Sequence, residues 1–148
     1  MELSVYLSGE IHSDWRSIIE ATSEKYDLSV AFTNPVTDHY ASDNVGDKIL
    51  GNEQESFWKD HKAARINSVR IYKYIQDADL VVVRFGDKYK QWNAAFEAGY
   101  AVAIGVPVIT LHDEEFNHAL KEIDAAAHAT ARTPEQVVEI LKYLLTQK

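Results

Sequence analysis

The chain has 148 residues, the length of one compact domain, and its 46% hydrophobic and 26% charged residues are typical of a folded globular protein rather than a disordered or fibrous one. Its formal net charge of −8 argues against nucleic acid as a partner, because a phosphate backbone requires a basic surface. Without cysteine it can form neither disulfides nor thiolate metal sites. No leader segment and no apolar run of membrane-spanning length stands out, so we expect a cytoplasmic protein with no membrane partner.

The first half of the chain alternates short apolar runs with amphipathic stretches. Leu3–Ser8 predicts a strand that ends at Gly9, and the helical spacing of apolar residues within Ser13–Lys25 predicts the helix that follows. Leu28–Phe32 predicts a second strand. The polar residues that come next, roughly 20 of them through Glu53, predict a long loop, which in a compact domain is usually functional or mobile.

The second half continues the same alternation. A helix is predicted from Ser56 to Asp77, and the β-branched run Leu80–Phe85 is typical of a central strand covered on both faces. Trp92–Ile104 predicts a helix and Val106–Leu111 a fourth strand. The last elements are a short helix over Glu114–Glu122, a weak fifth strand over Ala125–Thr130 and a final helix opened by Thr133-Pro134-Glu135. The order predicts one α/β domain, residues 1–148, with a doubly wound, flavodoxin- or Rossmann-like five-stranded parallel sheet in three α/β/α layers.

Ligands of such sheets bind in the crevice outside the carboxyl ends of the strands. The loops after the first and third predicted strands, and the start of the following helix, therefore supply the candidate site. We expect a small-molecule ligand there. The candidates are Tyr6, Ser8, Gly9, Glu10, Phe85, Gly86, Asp87, Gln91, Trp92, Asn93 and Glu97.

Glu97 is a lone acid among small residues on the helix after the third strand. Position alone leaves two interpretations open: a surface glutamate favoured by the first turns of a helix, or a functional carboxylate in the crevice. Asp79 is not its partner in the prediction, because it begins the strand that Glu97 follows, and six residues separate the two sheet edges by roughly 20 Å. We expect Asp79 to pin the entry to that strand.

Several motifs along the chain match one family. They are Tyr6-Leu7-Ser8-Gly9, Ala78-Asp79-Leu80-Val81-Val82-Val83, the stretch from Arg84 through Asn93 to Ala101, and Gly105-Val106-Pro107-Val108-Ile109, with Glu97-x-Gly99-x-Ala101 as the strongest piece. The chain resembles the nucleoside 2-deoxyribosyltransferase superfamily, and specifically its YtoQ-like branch. The resemblance implies that Glu97 is the nucleophile that attacks a nucleoside at its anomeric carbon, and that Tyr6 hydrogen-bonds Glu97. It also implies a homo-oligomer of at least two subunits, and we expect no cofactor.

The chain departs from the superfamily pattern at two positions. Ile71 stands where superfamily transferases usually carry an aspartate acid/base, and Gln91 where many carry an aspartate that contacts base or sugar. Substitutes for the missing acid, or supporting residues, are Asn67, Arg70, Arg84 and Asp87. A related branch hydrolyses deoxynucleoside monophosphates, but Glu10 in the first loop would repel a phosphate, so an unphosphorylated nucleoside is favoured unless Arg84 and Arg65 both point into the crevice.

Motifs for a metal site or a dinucleotide site are absent from the sequence. No pair of the six histidines has the spacing of helical zinc ligands, and no Gly-x-Gly-x-x-Gly or Walker pattern occurs, so we expect neither metal nor dinucleotide cofactor. The hypotheses are a transferase or N-glycosidase, a non-catalytic module that binds a nucleoside or nucleotide in the same crevice, and an interaction domain with no ligand.

Overall fold

A computed structural model describes residues 1–88 and 90–146. Five parallel strands form one sheet in the order β2-β1-β3-β4-β5. The strands are β1 (Leu3–Gly9), β2 (Val30–Thr33), β3 (Leu80–Arg84), β4 (Val108–Leu111) and β5 (Ala129–Ala131). The predicted doubly wound parallel sheet is confirmed. Because the order reverses between β1 and β3, the crevice of such a fold opens at the carboxyl ends of these two strands.

Helices cover both faces of the sheet, which accounts for the buried, β-branched sequence of β3. The helices are α1 (Trp15–Lys25), α2 (His39–Leu50), α3 (Ser56–Asp77), α4 (Trp92–Ala103), α5 (Lys121–Ala126) and α6 (Pro134–Thr146). Leu80 and Val82 pack towards α1 and α6. Val81 and Val83 pack towards α3 and α4, in the same cluster as Tyr6 of β1. Among the described residues, no helix combines the length and the apolar character that crossing a membrane requires.

The prediction of a long loop through Glu53 is wrong, because most of that segment forms helix α2. Asp38 caps this helix by accepting a hydrogen bond from the Ala41 N–H at 3.0 Å. Gly46 lowers the helix propensity of the segment, yet the packing needs it: a Cβ there would lie 2.7 Å from Lys62 Cβ and 2.9 Å from Ala63 N of α3. The residue that made the sequence look like a loop lets α2 lie directly against α3.

The segment between β4 and the last helix also differs from the prediction. The short helix predicted over Glu114–Glu122 is a 3₁₀ turn, Glu114–Phe116, followed by α5. The fifth strand begins at Ala129, whereas the prediction started it at Ala125, because the alanines from 125 to 126 continue α5. Alanine has the highest helix propensity, and here that preference prevails.

Candidate functional site

Glu97 lies on the inner face of α4, where three alanines bring that helix close to the sheet. Ala94, Ala98 and Ala101 are each at most 3% exposed. At this short distance the Glu97 carboxylate reaches β1, and its Oε2 accepts hydrogen bonds from Ser8 Oγ at 2.5 Å and from the Tyr6 hydroxyl at 3.3 Å. Tyr6 and Ser8 are two residues apart on β1, so both side chains point to the same face of the sheet. The structure thus brings Tyr6, Ser8 and Glu97 together.

Only one of the two Glu97 oxygens is used in this way. Both hydrogen bonds end on Oε2, and Oε1 accepts none from any residue in 1–88 or 90–146. The whole residue is 8% exposed, and that remaining surface borders two cavities. A carboxylate held by one oxygen and open at the other is arranged to present the second oxygen to a ligand.

Burial dominates the ionisation of Glu97. It raises the pKa of the Glu97 carboxyl above its usual value, while the hydrogen bonds from Ser8 and Tyr6 and the charge of Arg16 oppose that rise. Burial and the neighbouring Glu97 charge raise the pKa of the Tyr6 hydroxyl, so Tyr6 stays a hydrogen-bond donor. The Tyr6 ring in turn packs against Tyr74, with ring centroids 6.2 Å apart.

Arg16 is a buried cation beside this site that the sequence analysis did not select. Its guanidinium donates to the carbonyl oxygens of Leu7 at 3.0 Å, Gly9 at 3.0 Å and Glu10 at 2.6 Å. Burial lowers the pKa of Arg16 to about 10. A signal was present in the sequence, because a basic residue in the first turn of a helix opposes the helix dipole and needs another reason to be there.

Two glycines let the first loop approach the end of β3. Gly9 has φ of +103°, and a Cβ there would lie 2.1 Å from the Arg84 carbonyl oxygen. A Cβ on Gly86 would lie 2.6 Å from Glu10 Cγ. The Glu10 carboxylate is turned into its own loop, where it accepts hydrogen bonds from the His12 N–H and, at 2.5 Å, from Ser13 Oγ.

Two cavities meet at Glu97, and Ile71 and Asn93 also border both. The first, which we call the acidic cavity, measures about 390 Å³ and lies between α2, α3 and α4. The second, which we call the loop cavity, measures about 510 Å³. Volumes of this order suit a small organic molecule. The acidic cavity is bordered by Ser42, Asp43, Asp60, Asn67, Tyr72 and Phe96, and the loop cavity by Gly9, Glu10, His12, His39, Gln91 and Trp92.

The remaining predicted residues divide between the crevice and its surroundings. Asn67 borders the acidic cavity, where its amide donates to Ser42 O at 3.2 Å and Ser42 Oγ at 3.0 Å. Gln91 borders the loop cavity and accepts a hydrogen bond from the Gly86 N–H at 3.0 Å. Ile71 borders both cavities with an apolar side chain, so this position supplies no proton.

Tyr6, Ser8 and Gly86 border neither cavity, and four further predicted residues also lie outside both. Phe85 is buried in the core with Val81 and Val83. Arg84 faces the opposite side of the sheet from Val83, and its guanidinium pairs with Asp113 at 3.6 Å. Arg70 is exposed and lies over the Tyr74 ring at 4.9 Å, and Asp87 is exposed in the loop after β3. Strand alternation explains why Arg84 points away from the crevice, because Arg84 lies on the same face of the sheet as Leu80 and Val82 and on the opposite face from Tyr6.

Asp79 lies at the far edge of the sheet. Its carboxylate accepts a hydrogen bond from the Ser4 N–H at 2.9 Å and ties the start of β3 to β1.

A separate buried group lies at the end of β4, where His112 Nε2 contacts both Asp124 carboxylate oxygens at 3.0 Å. Within residues 1–88 and 90–146 no group of three or more histidine, aspartate or glutamate side chains is arranged to hold a metal ion.

Comparisons with known proteins identify the family of this chain. A family model described as nucleoside 2-deoxyribosyltransferase YtoQ matches residues 6–145. The chain belongs to this family. Within the YtoQ family, the protein named "Uncharacterized protein YtoQ" of Bacillus subtilis (strain 168) is 42% identical over 144 residues, which is 97% of each chain.

Two solved structures resemble the fold of this YtoQ family member. A 2-deoxyribosyltransferase from Bacillus psychrosaccharolyticus superposes with a TM-score of 0.57 and 19% identity, covering 91% of this chain and 90% of its own. A conserved protein from Enterococcus faecalis V583 superposes with a TM-score of 0.67 and 15% identity, covering 98% of this chain and 100% of its own. At these identities the similarity shows the fold alone.

Proposed function

We propose that this protein is a nucleoside 2-deoxyribosyltransferase-like enzyme that cleaves or exchanges the N-glycosidic bond of a deoxynucleoside, with Glu97 as its nucleophile. One observation carries the proposal: the buried Glu97 carboxylate is held through Oε2 by Ser8 and Tyr6 and leaves Oε1 open where two cavities meet. Family membership supports the substrate class.

The reaction we propose has two displacements at one carbon. Glu97 Oε1 attacks the anomeric carbon as the bond to the base nitrogen breaks, giving a glycosyl ester on Glu97 through an oxocarbenium-like transition state. The departing nitrogen keeps the bonding electrons and takes up a proton. A second base or a water molecule then attacks the same carbon, loses a proton and releases the Glu97 carboxylate. Two inversions give net retention of configuration.

The surroundings of Glu97 suit this chemistry. The two hydrogen bonds to Oε2 fix the carboxylate and favour its ionised form, and Arg16 adds a positive charge nearby. Burial acts in the opposite direction and leaves the anion less solvated, and so more reactive, than an exposed carboxylate. Because Ile71 has no proton to give, we propose that the departing base takes its proton from water in the open cavities.

Base release and base exchange from a panel of 2′-deoxynucleosides, with and without an acceptor base, test the proposal by chromatography. We expect turnover by the unmodified protein and its loss in Glu97→Ala. Glu139→Ala, which removes an exposed glutamate of α6, is the matched control and should leave turnover unchanged. Undiminished turnover in Glu97→Ala contradicts the role of Glu97. Saturable binding without turnover in the unmodified protein would instead indicate a binding module.

A further inference from the structure

Strand β1 continues beyond the end of β2. Its pairing with β2 ends at Tyr6, whereas its pairing with β3 continues to Gly9. Residues 7–9 therefore have a neighbouring strand on one side only. This segment contains Ser8, whose hydroxyl donates to Glu97. Because a buried backbone carbonyl without a hydrogen-bond partner destabilises the folded chain, the open side of the segment requires other donors.

The backbone hydrogen bonds of β1 show which carbonyls face the open side. At the start of the strand the Leu3 N–H donates to Ser29 O, on the side of β2, at 3.0 Å. Backbone groups of a parallel strand face its two neighbours in alternation, and Leu7 and Gly9 lie an even number of residues after Leu3. If β2 continued in the same register, Leu7 O would face Pro35, which has no N–H to donate.

The guanidinium of Arg16 supplies the donors that β2 does not. Nε donates to Leu7 O and Nη2 to Gly9 O, each at 3.0 Å, and Nη1 donates to Glu10 O at 2.6 Å. The Arg16 guanidinium is itself held in place, because it lies 4.4 Å from the centre of the Trp15 ring. A guanidinium presents its donors in one plane and at fixed angles, so it holds these three carbonyls in one arrangement.

Arg16 acts on the backbone and not on a ligand. The carboxylates of Glu10, Glu20 and Glu97 are near enough to affect its ionisation. Within residues 1–88 and 90–146, however, all its hydrogen bonds end on backbone carbonyls. Arg16 borders neither the acidic cavity nor the loop cavity, so a substrate bound at Glu97 does not contact it.

The Ser8 hydroxyl faces Glu97 only while residues 7–9 keep the alternation of an extended strand. We propose that Arg16 is a positioning residue, which holds the end of β1 extended and thereby keeps the Ser8 hydroxyl on Glu97 Oε2 and Oε1 turned to the cavities. This inference rests on the proposed function, because it assumes that Glu97 is the nucleophile.

Two substitutions separate the geometry of Arg16 from its charge. Arg16→Lys keeps the charge but replaces the planar guanidinium with an ammonium, which cannot match the three carbonyls in the same way. Arg16→Gln removes the charge. Each is combined with Ser8→Ala in a double-mutant cycle, which measures whether the two residues act through one another. The matched control is Arg65→Lys, at an exposed position of α3 outside both cavities.

The measurements are kcat and KM for a 2′-deoxynucleoside and, without substrate, the pKa of the Glu97 carboxyl by carbon-13 NMR. In Arg16→Lys we expect kcat to fall by about tenfold to a hundredfold, the range expected for losing a hydrogen bond to a charged group. KM should change little, because Arg16 does not contact the substrate. The pKa of Glu97 should rise in Arg16→Lys. Both effects should largely disappear when Ser8 is already alanine, and Arg65→Lys should show neither.

Three results overturn the positioning role. Full activity in Arg16→Lys with loss in Arg16→Gln would show that only the charge matters. A fall in kcat that is as large in the Ser8→Ala background as in the unmodified protein would indicate a general structural effect. Failure of both Arg16 variants to fold, followed by circular dichroism, would assign Arg16 to stability alone. Absence of turnover by the unmodified protein contradicts the proposed function instead, and the NMR cycle still decides whether Arg16 holds Ser8 on Glu97.

Discussion

Replacing Ser8 with alanine removes the shorter of the two hydrogen bonds that Glu97 accepts. The Oγ–Oε2 distance is 2.5 Å and Glu97 is 8% exposed, so little solvent can replace the lost donor. Hydrogen bonds to charged groups contribute roughly 1.5–3 kcal/mol, and one pH unit corresponds to about 1.4 kcal/mol. Because the bond favours the ionised form, its loss should move the acid limb of activity to higher pH by about one to two units.

The assay is the pH dependence of kcat/KM for a deoxynucleoside, together with a carbon-13 NMR titration of the Glu97 carboxyl, which needs no substrate. Ser23→Ala is the matched control: Ser23 is also buried, and its Oγ has no hydrogen-bond partner among the described residues. An acid limb and a titration that do not move in Ser8→Ala would refute the electrostatic account of Glu97.

Two further predictions concern stability. Burial raises the folded-state pKa of the Glu97 carboxyl, so the stability that this group contributes is present below the unfolded-state pKa and is lost as pH rises through the raised folded value. Glu97→Gln should therefore melt at a higher temperature than the unmodified protein at pH 7, by about 2–4 °C for each kcal/mol of stability gained. An equal or lower Tm contradicts this. Gly9→Ala should cost at least about 2 kcal/mol in denaturant unfolding, because its φ of +103° strains alanine and the Cβ would meet the Arg84 carbonyl. The control, Gly99→Ala in α4, has nothing within 4 Å of the added Cβ and should be neutral or stabilising, so equal losses would refute the steric argument.

The sheet could be predicted from the sequence because local pattern decides it. The continuous β-branched run of β3 indicates a strand covered on both faces, and the structure shows that. Helix α2 could not be predicted in this way, because Gly46 weakens its local signal and is explained only by contact with Lys62 and Ala63, distant in sequence. A residue that is required only by tertiary packing, like Gly46, adds nothing to the hydrophobic periodicity from which a helix is predicted.

The candidate site was predicted in part, for a similar reason. Glu97 was selected by a motif, since its position alone favoured a surface glutamate. Arg84 was placed at the correct edge of the sheet but on the wrong face, which strand alternation from Leu80 could have shown. Asp43, which borders the acidic cavity, was missed because it lies on α2, and that helix was predicted as a loop.

The site of covalent attachment tests the central claim most directly. The protein is mixed with a deoxynucleoside, quenched in acid within the first turnover, digested and mapped by mass spectrometry. We predict a deoxyribosyl adduct on the peptide that contains Glu97, and specifically on the Glu97 carboxylate. Turnover accompanied by an adduct on another residue, or a transferred nucleoside with inverted configuration at the anomeric carbon, would contradict the account.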